Sequence, residues 1–198
     1  MSHYFENDRN LKSEFRSISY KYDSFSFEFL SDNGVFSKDK IDYGSKALLE
    51  SYLKDTKVSE KVLDVGCGYG FIGIVISKIN NSYVDMIDVN KRALHLTKKN
   101  IDKYDINAKA FESDAYENVS GVYDTIITNP PIRAGKSKVI EILSGAYDYL
   151  KDDGKLFFVI RKDQGALSIK KILEEKYFIE LIDRDKGFYI FKGVKKNG

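Results

Sequence analysis

The residues best suited to chemistry begin in the segment Val62-Leu63-Asp64-Val65-Gly66-Cys67-Gly68-Tyr69-Gly70-Phe71-Ile72-Gly73. An apolar run carrying one acid is followed by alternating glycines and then by a helical pattern. Glycines let a ligand approach the backbone closely, and the start of the next helix offers it free N–H groups. Gly68-x-Gly70-x-x-Gly73 with Asp88 further on matches the generic dinucleotide fingerprint. Asp64 argues against that ligand, because its carboxylate would face a pyrophosphate across a crevice of low dielectric. The register suits S-adenosylmethionine instead, which has no phosphate there and carries an ammonium and a sulfonium that a carboxylate attracts. A phosphate loop at Ala134-Gly135-Lys136-Ser137 fails as well, since the position of its first glycine is held by Pro130, which has no N–H to give.

Two further acids follow. Asp88, in Ile87-Asp88-Val89-Asn90, is placed to accept from both ribose hydroxyls of a nucleoside, and it can also cap the helix starting at Lys91. Asp114, in Ser113-Asp114-Ala115, can accept from an adenine amine. The donor pocket is therefore expected at Asp64, Gly66, Cys67, Gly68, Gly70, Asp88, Val89, Asp114 and Ala115, reaching to Asn129. Cys67, between two glycines, is read as small enough to fit rather than as a nucleophile.

The reacting end is expected at Asn129-Pro130-Pro131-Ile132. Residues before proline favour extended conformations and the Pro130 ring fixes φ, so a carbonyl and the Asn129 side-chain oxygen can aim at one spot. Two acceptors there suit a planar NH₂, whose hydrogens they hold while its lone pair turns toward a methyl donor. No strong base is needed, because the nitrogen can lose its proton after transfer. What remains is alignment at about 3–3.5 Å and exclusion of water.

These loops need a scaffold, and periodicity supplies one. Residues 62–65, 84–89, 108–111, 125–128 and 156–160 read as strands, separated by helical patterns at 71–78, 91–103, 137–150 and 166–175. The three acids then end successive strands at the edge where open α/β sheets bind ligands. Residues 178–182 and 188–191 add two strands whose link is too short for a crossover, so the last runs antiparallel to its neighbour. Upstream, Ile18, Tyr20 and Tyr22 alternate, as do Phe25, Phe27 and Phe29, which predicts a β-hairpin. A lead-in helix capped by Ser45 follows it. The expected division is residues 1–58 for the hairpin and lead-in helix and 59–198 for the donor-binding α/β unit, a mostly parallel seven-stranded sheet covered by helices on both faces.

Composition narrows the setting. The 198 residues, 42% of them hydrophobic, can build one core, and a net charge of +2 is far from that of a dedicated nucleic-acid binder. One cysteine and two histidines, His3 and His95, give no disulfide and no zinc cluster, so a reducing cytoplasm and no metal are expected. Met1 to Glu6 has no signal-peptide pattern, and no apolar run is long enough to span a membrane.

Taken in order, Val-Leu-Asp-Val-Gly-Cys-Gly-Tyr-Gly, Ile-Asp-Val-Asn, Ser-Asp-Ala and Asn-Pro-Pro resemble the class I S-adenosylmethionine-dependent methyltransferases with a Rossmann-like sheet. The segments 33–45, 129–136 and 161–165 are more closely similar to the ribosomal RNA small-subunit methyltransferase C family, in its short single-domain form. That resemblance implies a guanine N2-methyltransferase for 16S ribosomal RNA. Phe36, Gly44 and Ser45 would help line the donor pocket, with Asn129, Pro130 and Pro131 at the amine. Ile132 stands where the family commonly has Phe or Tyr, which gives up aromatic stacking on the base. The RNA contacts are expected at Ile132, Arg133, Lys136, Lys138, Arg161 and Lys162, with the hairpin tyrosines Tyr20 and Tyr22 as a further surface. The alternatives are another planar nitrogen, such as a different base or a protein glutamine amide, and a non-catalytic RNA-binding module.

Overall fold

The computed structural model describes residue 7 and residues 9–198; the expectations placed on His3 and on Met1 to Glu6 lie outside the described residues. The chain opens with β1 (Arg16–Tyr22) and β2 (Phe25–Ser31), an antiparallel hairpin in which Tyr20 faces Phe27. After α1 (Tyr43–Asp55), strands and helices alternate: β3 (Lys61–Val65), α2 (Phe71–Asn80), β4 (Tyr83–Asp88), α3 (Lys91–Ile101), β5 (Ala108–Glu112) and β6 (Tyr123–Thr128). Then come α4 (Lys136–Gly145), β7 (Leu150–Arg161), α5 (Ala166–Leu173), β8 (Tyr177–Asp185) and β9 (Phe188–Lys195).

The seven strands lie in the order β5-β4-β3-β6-β7-β9-β8. β9 alone runs opposite to the other six strands, slotted between β7 and β8, because the two-residue link Lys186-Gly187 from β8 cannot cross the sheet. The chain leaves β3 toward β4 and β5, then returns to the other flank of β3 with β6. Such a reversal parts the helices at the carboxyl edge and leaves a crevice there. Apolar side chains fill both sheet faces: α1, α2, α3 and the hairpin pack on one, α4 and α5 on the other.

Three local expectations need correction. Helix α1 is capped by Asp42, whose carboxylate accepts from Ser45 N at 2.8 Å, so Ser45 is already in the first turn. The cap before α3 is Asn90, accepting from Ala93 N at 3.0 Å, which leaves Asp88 to the loop. Helix α4 stops at Gly145 and a 3-10 turn leads to β7 at Leu150, because Tyr149 stacks on Tyr116 at 4.6 Å and Leu150 pairs with Tyr123 ahead of a bulge. Tyr20 is 6% exposed and donates to Glu50 at 3.0 Å, and Tyr22 is half-buried, so the hairpin aromatics face the core more than solvent. No helix among the described residues is long and apolar enough to cross a membrane.

Candidate active site

A cleft of about 990 Å³ occupies the carboxyl edge of the sheet. Its glycine loop is tied down from beneath. Gly66 N and Cys67 N both donate to Ile87 O at 2.9 Å, Thr97 Oγ1 of α3 donates to Gly68 O at 2.7 Å, and Asn100 Nδ2 donates to Tyr69 O at 2.8 Å. Gly66 (φ 75°) and Gly68 (φ 58°) are left-handed with open space where a Cβ would stand, so the loop backbone is bare toward the cleft.

The two inner acids are buried and face this loop. Asp88, 3% exposed, accepts from Gly68 N and from Asn90 N, each at 2.9 Å, which fixes its carboxylate at the end of β4. Asp64, 1% exposed, accepts from Gly73 N at 3.0 Å, and no cationic side chain among the described residues pairs with it. Burial pushes its carboxyl up to about 7; the Gly73 hydrogen bond opposes the rise and the Asp88 charge adds to it. A buried carboxylate without a cation partner fits a ligand that brings positive charge. Asp114 is exposed and pairs with Lys138 Nζ at 2.5 Å, while Ala115 holds a left-handed φ of 46° over a Ser113 Oγ bond to its carbonyl. Burial also pushes the Cys67 thiol up, so it is no nucleophile at neutral pH.

Across the cleft, Thr128 Oγ1 donates to Val65 O at 2.7 Å and anchors the Asn129 loop to β3. Pro131, at φ −76° and ψ 82°, forms an inverse γ-turn closed by Ile132 N donating to Pro130 O at 2.9 Å. One lone pair of the Pro130 carbonyl is thereby taken and the other remains. Asn129 Nδ2 donates to Asp42 Oδ2 at 3.0 Å and to Ser45 Oγ at 2.9 Å.

Of the expected site residues, Phe36, Ser45, Asp64, Gly66, Cys67, Gly68, Asp88, Val89, Asp114, Ala115 and residues 129–133 line the cleft, together with Lys138 and Arg161. Gly44 and Gly70 do not: Gly44 is pressed against the Phe188 ring, and Gly70 (φ 97°) is the turn into α2. Lys136 and Lys162 are exposed beyond the rim. Arg161 forms two bonds to Asp163 and lies over Phe188 at 5.3 Å, and Lys138 is committed to Asp114 and Glu141. Asp42, Gln164 and Phe188 also line the cleft and were not singled out from sequence. Asp42 had a readable signal, an acid three positions ahead of Ser45 at a helix start; Phe188 had none.

A family model described as methyltransferase small domain matches residues 26–192. The uncharacterized protein YbxB of Bacillus subtilis is 40% identical over 198 residues, spanning 98% of each chain. Ribosomal RNA small subunit methyltransferase C of Haemophilus influenzae is 35% identical over 131 residues, 64% of this chain and 39% of that protein. Its counterpart from Salmonella choleraesuis is 30% identical over 167 residues, 81% of this chain and 47% of that one. This chain thus spans less than half the length of those two relatives. Among solved structures, the T. thermophilus 16S rRNA N2 methyltransferase RsmC, in complex with AdoMet and guanosine, superposes with a TM-score of 0.84 at 24% identity, over 94% of this chain and 52% of that one.

Proposed function

The chain belongs to the methyltransferase small domain family, and from that premise we propose that it moves a methyl group from S-adenosylmethionine to the N2 amine of a guanine in 16S ribosomal RNA. The observation that carries the reaction class is that Asn129, whose amide NH₂ is committed to Asp42 and Ser45 and so leaves its oxygen as an acceptor, and Pro130, whose carbonyl keeps one lone pair, line the same cleft as the buried Asp64 and Asp88. The RNA substrate is supported by the similarity to the methyltransferase C proteins and by the guanosine named with the T. thermophilus enzyme.

The chain's own groups divide the work. Asp88 holds the ribose end and Asp64 receives the ammonium, for which its buried and unpaired carboxylate is suited. The bare backbone at Gly66 and Gly68 admits close contact. S-adenosylmethionine supplies an electrophilic methyl on a sulfonium, whose carbon–sulfur bond breaks to a neutral thioether as the carbon–nitrogen bond forms. Asn129 and Pro130 hold the amine hydrogens, so the nitrogen lone pair faces the donor, and the extra proton passes to water afterwards. Positioning of this kind accounts for a large share of such a barrier without a dedicated base.

Incubation with tritiated donor and, separately, 16S ribosomal RNA, small subunits and a release-factor protein tests this reading. The expected product is N2-methylguanosine in the RNA; label only in protein, or on another base, overturns the substrate. Asn129→Ala is expected to abolish transfer while donor affinity stays close to wild type, whereas Asp88→Ala weakens donor binding itself; calorimetry beside the transfer assay separates the two.

A further inference from the structure

An amide has two hydrogens on nitrogen and acceptor capacity on oxygen, and which end faces a neighbour depends on the neighbour. Asn129 Nδ2 is 3.0 Å from Asp42 Oδ2 and 2.9 Å from Ser45 Oγ. An ionised carboxylate can only accept, so the end beside Asp42 must be the NH₂; the reverse orientation would set oxygen against oxygen. Both amide hydrogens are then used within the protein, and Asn129 turns only an acceptor to whatever enters the cleft.

Asp42 is itself held. The oxygen that receives Asn129 also caps α1 through Ser45 N at 2.8 Å. The first turn of α1 cannot drift: the Tyr43 hydroxyl bonds Asp185 at the end of β8, and a Cβ on Gly44 would stand 2.8 Å from the Phe188 ring at the start of β9. Ser45 is fixed by the same turn.

We propose that Asp42, assisted by Ser45, is a positioning residue that locks the Asn129 amide as an obligate acceptor and so makes the site select groups that offer N–H over groups that offer only a carbonyl. This rests on the reading of Asn129 as the holder of the amine.

Two variants separate positioning from folding. Asp42→Gly keeps the extended cap backbone (φ −63°, ψ 132°) and, as glycine caps helices nearly as well, leaves the melting temperature close to wild type, yet it removes the acceptor. Asp42→Asn retains one oxygen able to receive both N–H groups. With 16S ribosomal RNA and labelled donor, Asp42→Gly is expected to lose about 100-fold in kcat with an unchanged donor dissociation constant. Asp42→Asn should recover most of that loss. Independently of activity, the Asn129 side-chain protons, assigned by their loss in Asn129→Ala, should exchange slowly with solvent in the wild type and in Asp42→Asn, and rapidly in Asp42→Gly. Wild-type kcat in Asp42→Gly, or rapid exchange in the wild type, overturns the proposal. A wild type that labels no amine yet protects these protons overturns the functional reading of the preceding section and supports the lock itself.

Discussion

Asp64 carries a conflict between stability and binding that a single substitution can expose. In the folded protein its carboxyl sits near 7, against an ordinary 3.8, chiefly because it is buried. A raised value means that folding favours the protonated form. Asp64 therefore costs nothing below pH 3.8, and its penalty grows as pH rises through 7, to about 4 kcal/mol from the difference between the two values. Asp64→Asn keeps an oxygen for Gly73 N and removes the buried charge. It should melt at a higher temperature than the wild type at pH 8 without donor, with the gap closing toward pH 4, and it should bind donor poorly. Because a bound cation favours the ionised acid, wild-type binding at pH 6 should release a proton, visible as a dependence of the calorimetric enthalpy on buffer ionisation heat and absent in Asp64→Asn. This residue was legible from its place before the glycine loop. The partnership of Asp42 with Asn129 was not, since 87 positions separate them and neither sequence neighbourhood mentions the other.

At the scale of elements, α2 reaches β3 and β4 closely because Gly73 has no side chain. A Cβ there would lie 2.5 Å from Met86 Sδ and 3.2 Å from Asp64 Oδ2. Gly73→Ala should cost about 1–3 kcal/mol by forcing this packed layer apart, read as a lower denaturation midpoint, and should weaken donor binding by moving Asp64. Strands β3, β4 and β6 were readable as short apolar runs because both of their faces are covered by helices. The hairpin was readable in its period but not in its orientation: alternation at Ile18, Tyr20, Phe27 and Phe29 marks one face without saying that α2 and α3 cover it. The α4–β7 boundary was illegible because Tyr147 and Tyr149 continue the helical apolar spacing, while the bulge that starts β7 early is a property of its pairing with β6.

Across the whole molecule, the hairpin and the sheet form one packed body. Asn100 of α3 accepts from Leu30 N at 2.7 Å and donates to Leu30 O and Tyr69 O, so a single amide joins β2 to the glycine loop. The division at residue 58 is thus a boundary in pattern, crossed by buried contacts from β1, β2 and α1 into the α/β unit. With a net charge of +2 and with Arg161 and Lys138 committed to acids, the cations near the cleft without a carboxylate partner include Arg133, Lys136 and Lys162. If these three meet phosphates of a single strand, log K for RNA should fall against log salt with a slope of about −2; a slope several times steeper would call for a basic surface elsewhere. The buttressing of α1 by β8 and β9 also has a meaning in time. As the chain is synthesised, the glycine loop, Asp88 and Asn129 emerge and can join β3, β4 and β6 well before Asp185 and Phe188 exist. Until β8 and β9 are in place, the turn that holds Asp42 lacks its contacts with Asp185 and Phe188. A stalled or prematurely released chain would carry the cleft residues of β3, β4 and β6 while the first turn of α1 lacked Asp185 and Phe188 to pack on, so the cleft is completed last from the C-terminal strands.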